Sequence, residues 1–436
     1  MNTFWDEKIE TLPREQLAEL QLERLQMTIN RAYTKVDFYR QRFEELGIMP
    51  EDILSLEDLQ QFPLTTAADL ATHYPYGLFS VPLKSVVRLK FPAASRGRPF
   101  VVGYTKRDVA IWQQLVARAL TAVNIGRRDI VQVAFNYSLF TGAFTFNQAA
   151  ELLGATVAPT SIVSATLQLQ IMQDFRSTVL ATSPSFAFHI ADTMERKQTK
   201  SADNFLHTGV FGPECMPAEV RSSLEQRLGL QAYAIYGVNE MVEPGVAFEC
   251  VEKDGLHLAE DHFYPELIDP LSGDRVPPGQ QGELVVTTLT IEGFPLIRFR
   301  TGDITILNYQ PCQCGRSSVK MAPPLQRSDS LLTVRGIGVY PEHLGSLLQE
   351  VAPEVSRYRF VVRRRHGLND QLEVQVGVPV DYATDWYGTH ALADRVRSHL
   401  RRSIGLGIKV RLVEAGSLTG MPAEVLIEEQ GCDDGM

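Results

Sequence analysis

The spacing of apolar side chains predicts helices in the first part of the chain. Between residues 14 and 47, apolar side chains recur at roughly helical intervals among charged ones: Leu17, Leu20, Leu22, Leu25, Met27, Ile29 and Tyr33. The stretches 50–62 and 65–73 contain hydroxyl groups that can cap a helix, which predicts further short helices there.

The middle of the chain alternates between strand-like and helix-like runs. From about residue 80 to 240, apolar stretches such as 129–135 and 231–236 are separated by helix-like stretches such as 164–175 and 218–228. Strands that alternate with helices in this way predict βαβ units and largely parallel sheets.

The pattern changes twice more before the chain ends. Between residues 245 and 310, short strand-like runs separated by turn residues predict a smaller, more antiparallel subdomain. From about residue 330 onward, strands and helices predict an α+β sandwich. The expected fold is therefore α/β, with a large N-terminal domain over 1–329 and a small α+β C-terminal domain over 330–436.

Length and charge narrow the class of protein. A chain of 436 residues is too long for one compact core, and its apolar content is that of a soluble globular protein. The formal charge of -10 argues against general nucleic-acid binding. No apolar run has membrane-spanning length, and residues 1–10 lack the apolar core of a secretory signal, so the expected location is the cytoplasm.

Two short motifs carry acidic residues where a ligand would bind. Residues 236–240, Tyr-Gly-Val-Asn-Glu, follow a strand, and ligands of open α/β sheets bind at the carboxyl ends of strands. Glu240 could hold a magnesium ion there, because magnesium prefers carboxylate and phosphate oxygens. In the segment 300–303, Arg-Thr-Gly-Asp, the Asp303 carboxylate can accept hydrogen bonds from both hydroxyls of a ribose. A strand–turn–acid segment and a simple turn are the structural alternatives.

Three cysteines and a histidine have the spacing of metal ligands. Cys312 and Cys314 form a Cys-x-Cys pair, which does not easily close into a relaxed disulfide but can chelate one metal. Cys250 and His257, across a predicted hairpin, could supply two further ligands. Three thiolates and an imidazole suit tetrahedral zinc, and four protein ligands make such a site structural. The alternative is buried cysteines with a surface histidine.

The order of these pieces resembles the phenylacetate–CoA ligase branch of the adenylate-forming enzymes. The resemblance implies a mobile C-terminal domain with a hinge near Asp329, a structural zinc, and a homodimer. It also implies that Glu240 serves magnesium and that Asp303 binds the ribose of AMP. The nucleotide- and CoA-binding residues implied are Glu214, Tyr236, Gly237, Glu240, Asp303 and Arg327.

Three stretches, 137–142, 182–186 and 211–214, resemble the walls of that family's acyl pocket. The pocket residues implied are Tyr137, Phe140, Thr141, Gly142, Ser185, Phe186 and Gly212. Aromatic walls around a small cavity suit an aromatic carboxylate or its thioester. Ordinary packing between a sheet and its helices is the alternative for each residue.

Two catalytic pieces of the family pattern are altered in this chain. The family's phosphate-binding loop corresponds to residues 92–100, where Ser95, Arg96, Gly97 and Arg98 retain one glycine and few hydroxyls. Close backbone approach to a phosphate is therefore harder, although the arginines keep positive charge. The family's catalytic lysine follows a Gly-Ser-Leu segment, but after 416–418 this chain contains no lysine.

These departures favour a thioester-handling enzyme that works without ATP and magnesium. It would pass an aryl or acyl group from an acyl-CoA to another thiol, such as the phosphopantetheine of an acyl carrier protein. A group of C-terminal arginines could contact CoA phosphates or an acidic carrier, or be a solvated helix face: Arg395, Arg397, Arg401, Arg402 and Arg411. The alternatives are an ATP-dependent aryl-CoA ligase, which makes acyl-CoA, AMP and pyrophosphate, and a non-catalytic pseudoenzyme.

Overall fold

The computed structural model describes residues 3–91, 100–137, 142–198, 205–324, 326–334, 337–365, 368–378, 386–418 and 425–430. Its helices are α1 (Glu7–Glu10), α2 (Arg14–Lys35), α3 (Asp37–Leu46), α4 (Ala67–Thr72), α5 (Lys106–Ala122), α6 (Gly142–Leu152), α7 (Ala165–Asp174), α8 (Pro184–Arg196), α9 (Ala218–Leu228), α10 (Pro341–Val351) and α11 (Trp386–Ile404). Its strands are β1 (Val86–Lys90), β2 (Val102–Thr105), β3 (Ile130–Val133), β4 (Thr156–Pro159), β5 (Val179–Thr182), β6 (Thr208–Phe211), β7 (Gln231–Tyr236), β8 (Ala247–Glu249), β9 (Leu256–Leu258), β10 (Phe263–Ile268), β11 (Gln281–Thr288), β12 (Phe299–Asn308), β13 (Lys320–Met321), β14 (Gln326–Arg327), β15 (Leu332–Val334), β16 (Ile337–Val339), β17 (Tyr358–Arg365), β18 (Leu368–Val378), β19 (Lys409–Glu414) and β20 (Val425–Gln430).

The helical region predicted over residues 14–47 consists of two helices, α2 and α3. Val36 separates them in an extended conformation, with φ -124° and ψ 106°, and its side chain is buried. At the other end of α3, Gly47 has φ +66°, a left-handed conformation that glycine adopts without a Cβ clash and that commonly ends helices. Helix direction here is thus set by one buried valine and one glycine.

The two predicted short helical stretches differ in kind. Residues 65–73 contain α4, where the Thr66 side chain accepts from the Asp69 backbone N–H and the Asp69 carboxylate accepts from the Thr66 N–H. Residues 50–62 form two 3₁₀ turns, Pro50–Asp52 and Glu57–Gln61, in place of an α-helix.

Most described strands before residue 330 form one sheet in the order β10-β11-β12-β13-β9-β8-β7-β6-β5-β3-β4, with β14 paired to β12, whereas β1 and β2 form a separate antiparallel pair. Pairings among β7, β6, β5, β3 and β4 are parallel, and helices connect these strands in sequence. All residues of β5 and β6 are buried, as expected where helices cover both faces of a parallel sheet. From β7 onward the pairings are antiparallel. The predicted α/β fold, with parallel strands followed by an antiparallel subdomain, is confirmed.

Contacts divide the chain into two units. Among described residues, the first holds everything up to Asp329 except Pro184–His189, which group with the residues from Ser330 onward. Whether these units are the independently folding domains expected over 1–329 and 330–436 stays a prediction.

The second unit contains a four-stranded sheet in the order β19-β18-β17-β20, with α10 and α11. Buried side chains from both layers share one core, among them Leu344, Leu348, Phe360, Val374, Val396 and Leu400. The small α+β C-terminal domain is therefore present as expected. None of the described helices is both long enough and apolar enough to span a membrane.

Candidate functional site

The loop that carries Glu240 leaves the carboxyl end of β7 and folds back tightly on itself. The Val238 N–H donates to the Val242 carbonyl at 3.2 Å, and the Gly245 N–H donates to the Tyr236 carbonyl at 3.1 Å. A Cβ on Gly237 would lie 2.5 Å from the Val242 oxygen, so this position requires glycine. The loop therefore has one compact shape, with Glu240 at its turn.

Neighbouring elements hold this loop in place. The Tyr104 hydroxyl donates to the Met241 carbonyl, and the Trp112 indole N–H donates to the Pro244 carbonyl at 2.6 Å. Lys90, at the end of β1, places its Nζ 3.0 Å from Glu243 Oε2, and both side chains are buried. Lys90, Tyr104 and Glu243 were not predicted from the sequence as parts of this site. A usable signal was a lysine within the short strand that leads into residues 92–99.

Glu240 is half-buried near both positive and negative groups. Burial raises its pKa to about 7, and the charges of Lys90 and Arg327 limit that rise. A carboxylate that is poorly solvated in the free protein gains much from a cation. The position therefore suits the magnesium role that was expected of Glu240.

Asp303 lies between a phenol and a guanidinium. The Tyr236 hydroxyl donates to Asp303 Oδ2 at 2.5 Å, and Arg327 donates to Asp303 Oδ1. Asp303 and Arg327 face each other because β12 pairs with β14. Burial raises the pKa of Asp303, and the Arg327 charge opposes the rise. Each carboxylate oxygen keeps a further lone pair, so two hydroxyls of a ligand could still be accepted.

Gly302 allows Arg327 and Asp329 to come close to β12. Gly302 has φ +80°, and a Cβ there would lie 2.4 Å from Arg327 Nη2 and 2.9 Å from Asp329 Oδ2. Arg327 also donates through Nε to Asp329 Oδ1 at 2.7 Å. The close packing of Asp303, Arg327 and Asp329 thus requires a glycine at position 302.

We expect Gly302→Ala to lower the free energy of unfolding by more than the strain of a left-handed alanine, which is about 1–2 kcal/mol. The excess arises because the new methyl group displaces Arg327. The matched control is Gly279→Ala, since Gly279 has φ +81° but a Cβ there would meet no other atom within 4 Å. Urea unfolding of both variants measures the difference. Equal losses would show that crowding at Gly302 has no effect.

Several residues predicted to line the acyl pocket lie near the carboxyl ends of the parallel strands. A Cβ on Gly212 would be 2.7 Å from the Ile235 carbonyl oxygen, and one on Gly142 would be 1.8 Å from the Glu243 carbonyl oxygen. These glycines therefore let β6 and α6 pack directly against β7 and its loop. The Tyr137 hydroxyl donates to Asn147 Oδ1 at 2.8 Å, a partner that the sequence did not reveal. Glu214 is half-buried two residues after Gly212.

Other predicted site residues are placed differently. Ser185 and Phe186 open α8 and belong to the second contact unit. The residues Ser95, Arg96, Gly97, Arg98, Phe140 and Thr141 lie outside the described part of the chain.

The four predicted metal ligands come together. Cys250 follows β8, His257 lies in β9, and Cys312 and Cys314 follow β12; their ligand atoms all lie within 4.8 Å of one another. The Cys250 and Cys312 sulfurs are 3.8 Å apart, and Cys314 Sγ lies 3.4 Å from His257 Nε2. His257 is fully buried, so the alternative of a surface histidine is wrong.

These distances fit the edges of a metal tetrahedron. Zinc–sulfur bonds of about 2.3 Å place two tetrahedral sulfurs roughly 3.8 Å apart. A disulfide needs sulfurs about 2.05 Å apart, so the cysteines are not paired in that way. His257 Nδ1 lies 3.1 Å from Ser318 Oγ, which can orient the ring with Nε2 towards the centre. In the absence of metal, the hydrogen bond from Cys250 lowers the pKa of Cys314, whereas the bond to Cys314 raises the pKa of Cys250 and burial raises that of Cys312.

Comparison with known proteins places this geometry in a family. The chain matches the family models for the AMP-binding enzyme over residues 103–291 and the AMP-binding enzyme C-terminal domain over residues 336–423. It is 38% identical to the phenylacetate-coenzyme A ligase of Thermus thermophilus, over 95% of this chain and 96% of the relative. It is 39% identical to the Pseudomonas putida enzyme of the same name, over 96% of each chain.

A solved structure supports the same placement. The crystal structure of a 2-hydroxyisobutyryl-CoA ligase in complex with 2-HIB-AMP and CoA is similar, with a TM-score of 0.91 and 25% identity. The match covers 98% of this chain and 93% of that one. The chain therefore belongs to the phenylacetate–CoA ligase family of the adenylate-forming, AMP-binding enzymes.

Proposed function

We propose that this protein is an ATP-dependent aryl-CoA ligase, which converts an aromatic carboxylic acid, ATP and CoA into aryl-CoA, AMP and pyrophosphate. The observation that carries the proposal is the Asp303 carboxylate held between Tyr236 and Arg327. Relatives that share 37–39% identity over nearly the whole chain are phenylacetate-coenzyme A ligases, which favours the same reaction here. This reverses the order of the sequence-based hypotheses, which put ATP-independent transfer first.

Some of the described residues bind the nucleotide, and one binds the metal. Asp303 accepts the ribose hydroxyls, while Tyr236 and Arg327 fix its two oxygens. Glu240 supplies a carboxylate to the magnesium ion that accompanies ATP, and the tight loop around Gly237 keeps it at the strand end. Bound magnesium would neutralise phosphate charge during the attack of the acid. The pocket residues at the ends of β3 and β6 receive the aryl group.

ATP-independent acyl transfer is the second candidate, and a specific observation favours it. After Lys409 the chain has no lysine, and residues 92–99 contain one glycine and two prolines. Loss of such a cationic group can reduce the stabilisation of a transition state by several kcal/mol. The acceptor would be a carrier-protein phosphopantetheine. In the proposed carrier-binding patch, Arg397 is paired with Asp394 and Arg395 with Glu354, which leaves the exposed Arg401, Arg402 and Arg411 as its cations.

One experiment separates these functions. The purified protein is incubated with a panel of aromatic acids, ATP, magnesium and CoA, and pyrophosphate release is measured. A parallel reaction contains aryl-CoA and a carrier protein bearing phosphopantetheine, without ATP. Acid-dependent pyrophosphate release supports the ligase, and acyl-carrier formation without ATP supports transfer. Activity in neither reaction favours the non-catalytic hypothesis.

We also propose that Cys250, His257, Cys312 and Cys314 hold a structural zinc ion. We expect about one zinc per chain in protein purified without added metal, since four ligands close the coordination sphere. Metal analysis by inductively coupled plasma mass spectrometry measures the ratio. Cys314→Ser should lose the zinc, whereas Cys215→Ser, at an exposed cysteine outside the cluster, should retain it. Zinc-free wild-type protein would contradict the assignment.

A further inference from the structure

The loop between β12 and β13 contacts both the Cys/His cluster and the start of the chain. Cys312 and Cys314 supply ligands to the Cys/His cluster, and Ser318 contacts the imidazole of His257. Between Cys314 and Ser318, Arg316 and Ser317 contact the start of the chain instead. Residues 312–318 thus join the cluster to the N-terminal segment, which we define as residues 3–11.

Arg316 is the main contact between this loop and the N-terminal segment. Its Nε donates to Glu10 Oε2 at 2.8 Å, and its Nη2 donates to the Thr3 carbonyl at 2.5 Å. Its guanidinium also lies 4.8 Å from the centre of the Phe4 ring. The Arg316 and Glu10 side chains are 1% and 2% exposed, so the ion pair is shielded from water. Ser317 adds a backbone hydrogen bond to the Glu10 carbonyl at 3.0 Å.

Glu10 also holds the N-terminal segment in its folded shape. Its second oxygen, Oε1, accepts from the backbone N–H groups of Trp5 and Asp6, each at 2.8 Å. Helix α1 has four residues, too few to be stable in isolation. The segment therefore depends on Glu10, whose carboxylate pairs with Arg316 at 2.8 Å and also lies 4.0 Å from Arg118 Nε.

We propose that zinc at the Cys250–His257–Cys312–Cys314 cluster keeps the N-terminal segment docked, because it fixes the loop that carries Arg316 and Ser317. Bonds to Cys312 and Cys314 fix the backbone on the amino side of Arg316, and the Ser318 contact with His257 fixes it on the carboxyl side. Without metal, the loop loses the ligand bonds that define its path. Arg316 then no longer has a set position against Glu10. This role goes beyond the proposed ligase reaction and does not depend on it.

Hydrogen–deuterium exchange measures directly whether zinc keeps the N-terminal segment docked. Wild-type protein is compared as purified, after zinc removal by a chelator, and after zinc is restored. We expect the amides of residues 5–11 to exchange at least about tenfold faster after removal and to recover on reloading. Peptides from β17 are the internal reference and should not change. Unchanged exchange of residues 5–11 in the metal-free protein would overturn the proposal.

Thermodynamic linkage provides a second test, which measures zinc affinity in place of amide exchange. If zinc stabilises the docked segment, the docked segment must strengthen zinc binding by the same factor. Arg316→Gln should therefore weaken zinc affinity, measured by chelator competition, by the factor seen in the exchange experiment. Glu7→Gln is the matched control, because Glu7 is exposed on α1 and makes no side-chain contact with the loop. Full zinc affinity in Arg316→Gln would show that the segment and the cluster are independent.

Discussion

Asp303→Asn is expected to weaken AMP binding by about 10²- to 10³-fold, because two charge-assisted hydrogen bonds to the ribose are lost. The substitution keeps the side-chain shape but removes the charge that faces Arg327. An amide N–H₂ also cannot accept from a ribose hydroxyl. Isothermal titration calorimetry with AMP measures the effect without any need for turnover. The rate of pyrophosphate release, with ATP varied, should fall by a similar factor.

Tyr236→Phe is the graded companion of that variant. It removes the hydroxyl that donates to Asp303 Oδ2 but leaves the carboxylate and Arg327 in place. We expect a loss of about tenfold, the size of one hydrogen bond to a charged group. If Asp303→Asn bound AMP as tightly as wild-type protein, the nucleotide would have to bind elsewhere, and the ligase proposal would lose its main support.

The positions of the main strands along the chain could be predicted from the sequence, because buried β-branched runs and turn residues are local signals. The stretch 231–236, for example, is β7 without a change of boundary. The break within 14–47 could not be predicted in the same way. Val36 fits the helical spacing, but the extended backbone there places its side chain in the core. Tertiary packing determines the backbone conformation of Val36, and the spacing of apolar residues carries no signal for such packing.

The elements that carry the predicted site residues could be anticipated from the sequence, but the contacts of these residues could not. Glu240 lies in the loop after β7, as its motif predicted, whereas Asp303 lies inside β12, and the roles of both residues stay predictions. The pairing of β12 with β14, which sets Arg327 against Asp303, joins residues 24 positions apart and leaves no local trace. The same is true of the buried ion pair between Lys90 and Glu243, which are 153 residues apart. A charged residue shows its partner only after the chain has folded.

The environment of Glu240 sets binding against stability. Its pKa is about 7 in the folded chain and about 4.3 in an unfolded one, so the folded state holds the proton more tightly. As pH rises from about 4 to 7, the folded protein must ionise a poorly solvated carboxyl, and the free energy of unfolding falls. The cost is greatest above pH 7, where a magnesium ion would find the carboxylate already charged. The site is thus destabilised in the form that binds its metal.

Glu240→Gln should therefore change activity and stability in opposite directions. Loss of a magnesium ligand should lower the ATP-dependent rate by about 10²- to 10³-fold. In the absence of magnesium and nucleotide, the variant should be more stable than wild type by about 3 kcal/mol at pH 8, and equal to it near pH 4. Urea unfolding at several pH values measures the second effect, with Glu19→Gln, an exposed carboxylate on α2, as the control. A variant that loses activity without gaining stability at pH 8 would show that Glu240 is well solvated in the free protein. The raised pKa would then be no part of how this site favours a cation.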